Sequence, residues 1–278
     1  MAHGCVTVPG RRVPSHLHEL LEEGAATMAQ TTTELKRGPV SGTAVEAPDR
    51  RRAPFFVEFY RSAVGKKYVM AITGVIGMLY VLFHMLGNLK VFLGPADINH
   101  YGEFLRELLV PIAPRTVVLW ILRTGLIVAL ILHLHAAYSL TVMNHQARPV
   151  KYQSHRDYVA ANFASRTMRW TGIIVLLFIA FHLADLTWGF ANPDFVRGEP
   201  YQNVVESLTR IPVAIIYIVA NIALGVHLFH GAWSLFQSIG SNNPRFNEWR
   251  RWFAAAFATI IVVGNVSIPV AVMAGIVS

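Results

Sequence analysis

Cysteine is almost missing from this chain: Cys5 is the only one in 278 residues. That excludes an intrachain disulfide, a C-x-x-C-H attachment site for c-type haem, and an iron–sulfur cluster held by cysteines alone. Charge is scarce too. Charged residues make up 14% of the chain and hydrophobic ones 54%, with a mean hydropathy of +0.42, whereas a soluble domain carries about 25% charged residues. There is no phosphate-binding glycine-rich loop and no nucleophile triad, and no internal repeat is read beyond a similar spacing of apolar segments. The net charge of +8 does not point to nucleic acid, because the basic residues cluster beside apolar segments, where they set membrane topology.

The chain has instead long apolar runs, expected at about 68–93, 117–143, 171–190, 211–236 and 252–276. Runs of this length suit membrane-crossing helices, not barrel strands. The expected fold is an all-α integral membrane protein with five transmembrane helices in a bundle, spanning residues 54–278. Residues 1–53 read as a disordered cytoplasmic extension, rich in Thr, Glu, Arg, Gly and Pro and without an apolar period; no signal peptide is expected in them. Pro54 to Tyr60 reads as an interfacial lead-in with aromatic anchors.

The connections set the expected orientation. Arg50, Arg51, Arg52, Arg61, Lys66 and Lys67 precede the first span. Arg148, Lys151, Arg156, Arg166 and Arg169 follow the second, and Arg245, Arg250 and Arg251 follow the fourth. The other two loops mix both signs. The positive-inside rule puts the N-terminus in the cytoplasm and the C-terminus outside, in a bacterial-type cytoplasmic membrane. The three basic segments then share one face, which suits docking of a cytoplasmic partner.

Histidines inside the spans carry the functional signal. His84, His133, His182 and His227 fall in four successive spans, 49, 49 and 45 residues apart. An ionisable or metal-ligating side chain in a bilayer core is costly and marks a functional site by default. With spans of alternating direction, His84 lies roughly 25 Å and His182 roughly 20 Å from the inner edge, and His133 and His227 each about 16 Å. His84 and His182 thus share the outer half, and His133 and His227 the inner half. Two pairs at two depths match two stacked bis-histidine haems, with ligands from facing helices. A lone intramembrane histidine is commonly a helix–helix hydrogen-bonding residue; four matched in depth outweigh that reading. His135 and His230 are spare histidines beside His133 and His227, and ligand choice within each doublet stays open. His230, next to Gly231, is also a candidate for a haem propionate or a quinone carbonyl.

Arg123 is placed either snorkelling to the outer interface or pairing with a propionate. Asp185, one turn past His182, is a candidate for orienting a ligand. Asn88 and Asn221 are expected to bridge helices. Tyr60, Ser62 and Trp233 are candidate quinone-pocket residues near the inner face.

Three strings carry a resemblance. They are Gly65-Lys66-Lys67 … Thr73-Gly74 … His84-Met85-Leu86-Gly87-Asn88-Leu89; His133 with Asn144 … Ala147-Arg148-Pro149; and His227-Leu228-Phe229-His230-Gly231-Ala232-Trp233-Ser234 with Phe236-Gln237-Ser238-Ile239-Gly240. Together they resemble the cytochrome b membrane anchor of succinate:quinone oxidoreductases (succinate dehydrogenase and fumarate reductase), of the single-subunit, five-helix kind, over about residues 55–278. The resemblance implies an anchor that holds a flavoprotein subunit and an iron–sulfur subunit on the cytoplasmic face, as part of the respiratory chain and the tricarboxylic acid cycle. Electrons from succinate would pass through those subunits to a membrane quinone. The chain would contribute to quinone reduction but not to succinate oxidation. In dihaem members the inner haem b takes its ligands from spans two and four and the outer haem b from spans one and three. Carried over, His133 and His227 hold the inner haem, and His84 and His182 the outer one.

The alternatives are a haem-free anchor with only a quinone site, an anchor holding a histidine-ligated [2Fe–2S] centre, a proton- or ion-conducting membrane protein, and a cytochrome b anchor of another dehydrogenase. The usual Rieske centre needs two cysteines, which the spans lack. A proton path needs acidic partners along the bundle, and Asp185 is almost alone there.

Overall fold

The computed structural model describes residues 54–147, 159–240, 243, 245 and 247–278. The expected N-terminal extension 1–53 lies outside them, as do Arg148, Lys151 and Arg156 of the second loop. The described residues contain eight helices: α1 (Phe55–Arg61), α2 (Ala63–Asn88), α3 (Pro95–Arg106), α4 (Val117–Gln146), α5 (Val159–Leu186), α6 (Pro200–Thr209), α7 (Ile211–Ser238) and α8 (Asn247–Met273). Five of them, α2, α4, α5, α7 and α8, are long and apolar enough to cross a membrane. The protein is an all-α, multi-pass membrane protein.

Local chemistry sets the helix ends. The Ser62 hydroxyl accepts the Gly65 N–H at 2.9 Å and caps α2, satisfying one of the orphan donors of a first turn. At its far end α2 tightens into a 3₁₀ turn, Leu89–Leu93, and stops at Gly94, whose φ of +102° suits glycine. Pro95 then opens α3, where its missing N–H costs nothing. Helix α5 starts at Val159 and ends at Leu186. Its apolar stretch, Thr167–Leu186, stops short of the expected Phe190 because the chain turns at Gly189, with φ +82°.

The bundle is built on α7 and α8. Glycine lets them approach closely: a Cβ on Gly225 would lie 2.2 Å from Val262 Cγ2. Gly264 of α8 faces Met85 of α2 in the same way, its Cβ position 2.3 Å from the sulfur. Met85, Leu228, Ala258 and Ile261 form one buried cluster there. A second gathers Val91, Ile98, Leu208, Ala214, Tyr217, Ile268 and Ala271 at the end where α2 finishes, hereafter the far end. Helix α4 packs on α2 and α5 packs on α7. The short helices α3 and α6 pack together across the far end. Asn99 joins them, donating to Glu199 and accepting the Tyr201 N–H at 3.1 Å.

The bundle turns many large apolar side chains outward, among them Ile121, Ile131, Leu177, Val219 and Val263. On α4 and α5 only 6% of the most apolar stretch is buried, so in a bilayer these two helices meet lipid over most of their surface.

Candidate functional site

The helix pairing leaves a cleft. Backbones pack between α2 and α4 and between α5 and α7, while α2 with α5 and α4 with α7 stay apart. Histidine rings cross these two wider gaps. His84 of α2 meets His182 of α5 with ring centroids 5.8 Å apart and planes at 88°. His133 of α4 meets His227 of α7 at 6.5 Å and 65°. All four rings are half-buried. Eleven residues of helix separate the Thr73 level, where His133 is seated, from His84, roughly 16 Å of rise. The rings thus form two pairs at two levels.

Each near-level histidine is seated by a threonine and a glycine. The Thr73 hydroxyl donates to the Val69 carbonyl at 2.7 Å and lies 3.1 Å from Nδ1 of His133. The Thr171 hydroxyl donates to the Thr167 carbonyl at 2.9 Å and lies 3.4 Å from Nδ1 of His227. A hydroxyl has one proton and two lone pairs. With the proton given to the backbone, each threonine accepts N–H from the ring, and the network assigns the proton to Nδ1. Gly74 follows Thr73 and Gly172 follows Thr171. Their Cβ positions would lie 3.7 Å from His133 Cε1 and 3.4 Å from His227 Cε1, so a methyl group fits beside each ring and a longer side chain does not.

His182 has a different seat. The Tyr217 hydroxyl lies 3.3 Å from its Nδ1 and donates to Asp185 Oδ2 at 2.9 Å. Again the hydroxyl proton is committed, so His182 Nδ1–H donates to Tyr217. Three of the four rings thereby keep Nε2 unprotonated, the form that binds a metal. His84 stacks on Tyr80, centroids 5.2 Å apart at 13°.

This arrangement fits a group held between two imidazoles. An ion ligated axially from both sides needs metal–nitrogen bonds of about 2 Å each, which puts ring centroids roughly 6 Å apart. Both pairs are near that value, across gaps between unpacked helices and beside glycine-lined walls. Groups of three or more His, Cys, Asp or Glu are absent among the described residues. The facing histidines come in twos, a donor set that suits a bis-histidine porphyrin.

The spare histidines lie elsewhere. His135 is exposed, stacks on Tyr60 at 5.7 Å and has Nδ1 2.5 Å from the Tyr60 hydroxyl. His230 is buried, with Nε2 3.3 Å from the Thr167 hydroxyl. Lys66 is buried beside Tyr60, donating to the Arg61 carbonyl at 3.0 Å, with its ammonium 5.4 Å from the Tyr60 ring. Ser62 is one turn away, its hydroxyl on the Phe59 carbonyl at 2.6 Å. Trp233 belongs to another group, with the buried Arg250 guanidinium 5.6 Å from its ring; no described contact joins it to Tyr60 or Ser62. Arg123 lies over Trp120 at 5.3 Å. Asn221 does not bridge helices: its amide donates to the Tyr217 carbonyl of its own helix at 2.8 Å, a local bond that competes with any partner across the interface.

A short pattern is shared by the two histidine levels beyond the similar spacing of the spans. Thr73-Gly74 stands eleven residues before His84 and Thr171-Gly172 eleven before His182, each preceded by phenylalanine (Phe83, Phe181). Gly94-Pro95 and Asn192-Pro193 end the two segments in register. The spacing sets α2 and α4 in register with α5 and α7. The signal was in the sequence as T-G-x9-H, and it would have singled out Thr171 and Gly172. Tyr217, Ser207 and Arg210 carry no comparable pattern and emerge only from the fold.

Residues 151–266 match the family model of the succinate dehydrogenase/fumarate reductase transmembrane subunit. The match covers α5, α6, α7 and most of α8, with His182, His227 and His230. His84 and His133 lie outside it. Neither curated proteins nor solved structures gave a match.

Proposed function

We propose, from the match of residues 151–266 to the succinate dehydrogenase/fumarate reductase transmembrane-subunit model, that the chain is a dihaem anchor which passes electrons from a cytoplasmic iron–sulfur subunit to a membrane quinone. The observation that carries the reading is the two pairs of facing histidine rings, 5.8 and 6.5 Å between centroids, at two levels of the bundle. His133 and His227 hold the inner haem b, and His84 and His182 the outer one. A bound haem supplies reversible one-electron transfer at its iron.

The residues of the chain do the rest. Thr73 and Thr171 hold the Nδ1 protons of the inner ligands, which leaves their Nε2 lone pairs available to a metal. Gly74 and Gly172 lie in ordinary contact with the two rings. The apolar walls exclude water and keep the two levels apart.

Quinone reduction is assigned to the cytoplasmic end, where Tyr60, His135, Lys66 and Ser62 converge. A phenol hydrogen-bonded to an imidazole is a proton source for a reduced quinone oxygen. The orientation follows from the basic flanks, with the flavoprotein and iron–sulfur subunits docked on that face, and the membrane is the bacterial cytoplasmic membrane.

Single replacements test the assignment. His84→Ala or His182→Ala removes one haem and leaves one; His133→Ala or His227→Ala removes the other. Full haem content in all four variants overturns it.

A further inference from the structure

The pattern shared by the two histidine levels differs around His182 at two polar positions. Asp185 of α5 corresponds to Gly87 of α2, and Tyr217 of α7 corresponds to Arg123 of α4. On one side of the far-end pair a carboxylate-bound phenol faces the ring nitrogen of His182, while on the other side Tyr80 stacks on the His84 ring.

These groups form a continuous line. Asp185 is completely buried. Its Oδ1 accepts Arg210 at 2.7 Å, and its Oδ2 accepts the hydroxyls of Ser207 and of Tyr217, the latter at 2.9 Å. Arg210 opens α7 and is further held by the Ala191 carbonyl at 2.7 Å. Tyr217, its proton drawn to the carboxylate, offers only lone pairs to Nδ1–H of His182 at 3.3 Å. The near-end histidines have no such backing: their threonines pass the proton to a neutral backbone carbonyl.

We propose that Asp185, acting through Tyr217, is a positioning residue that fixes the donor strength of His182 and so sets the potential of the far-end redox centre apart from that of the near-end one. A phenol polarised by a carboxylate is a stronger acceptor than an isolated one, because hydrogen bonds in a chain reinforce each other. A stronger acceptor at Nδ1 makes Nε2 a better donor to a metal. A better donor favours the more positive, oxidised metal, so the relay lowers the reduction potential. Arg210 pairs with the buried carboxylate at 2.7 Å without a contact to the ring. The inference rests on His84 and His182 being axial ligands, as argued above.

The test is an optical redox titration of the purified complex, resolving the two haem potentials. Tyr217→Phe removes only the hydroxyl, since the ring keeps its contacts with Phe178 and Phe181 at 5.1 and 6.1 Å. It is expected to change the reduced-to-oxidised ratio of one haem about tenfold, a rise of ~59 mV for one electron, with the other haem unmoved. Asp185→Asn moves the same haem in the same direction. Ser207→Ala frees the carboxylate for Tyr217 and moves that haem the opposite way. Two haems with wild-type potentials in Tyr217→Phe overturn the relay and leave the ligation standing. A wild-type complex without haem overturns the ligation and the relay together.

Discussion

Thr73 and Thr171 stand 98 residues apart and do the same thing. Each gives its hydroxyl proton to its own helix and faces Nδ1 of a histidine on the next spanning helix, at 3.1 and 3.4 Å. A threonine can satisfy a ring in this way only if the ring comes close, and the glycine that follows each threonine allows it. Sequence, helix contact and ring orientation are thereby tied at one spot, twice.

Replacing Thr73 by Val keeps the shape and removes the acceptor. Loss of such a supporting hydrogen bond typically costs about 10–100-fold in metal affinity. The expected outcome is a haem lost on dilution or mild heating at the His133–His227 level, with the other haem retained. Absorbance followed over time reads it.

Gly74 and Gly172 separate tolerated from untolerated size. Their Cβ positions lie 3.7 and 3.4 Å from the rings, ordinary contact distances. Gly74→Ala is therefore expected to keep a wild-type spectrum, while Gly74→Leu drives atoms into the His133 ring and abolishes one haem. A normal spectrum in Gly74→Leu would contradict the cradle.

Asp185→Ala leaves Arg210, Ser207 and Tyr217 without their shared acceptor. Breaking a buried, hydrogen-bonded pair from one side costs about 3–5 kcal/mol. Arg210 keeps 31% of its side chain exposed, which reduces the loss to about 2–3 kcal/mol. Thermal unfolding of the detergent-solubilised complex should show a clear drop, larger than that for Ser207→Ala.

How much of this was legible in advance depends on the kind of signal. Five spans followed from runs of apolar residues, because a bilayer demands them. The four histidines stood out because intramembrane imidazoles are costly, and counting along the spans paired them by depth. The supporting groups were harder. Asp185 could be suspected, being almost alone among carboxylates in a span. Tyr217 and Arg210 could not, because the contact between α5 and α7 that brings them to Asp185 is tertiary. Asn221 misled for the opposite reason: its bond runs to its own backbone, which sequence spacing cannot distinguish from a bridge.

At the far end, Glu103 is bound by Arg115 at 2.5 Å and by Arg106. The Arg115 hydrogen bond, with help from Arg106, holds its carboxyl below the usual range. A lowered folded-state pKa contributes stability above the unfolded value, about 4.3, and that contribution is lost as pH falls through the folded value. Hydrogen exchange in residues 107–116 should rise in that acidic window. Glu103→Gln should show the faster exchange already at neutral pH.

Tyr60→Phe removes the hydroxyl from His135 Nδ1 while leaving the four ladder histidines untouched. Quinone reductase activity is expected to fall by about 10²-fold or more, the usual worth of a positioned proton donor, at unchanged haem content. Unchanged activity would move the quinone site away from Tyr60.

The central claim is that the histidine ladder holds two haems. A reduced-minus-oxidised visible spectrum of the purified complex, with a pyridine haemochrome count per polypeptide, tests it most directly. The account predicts two b-type haems per chain. A count of zero, with helices folded and partner subunits bound, would contradict it and leave the four histidines as packing residues or ligands of a different centre.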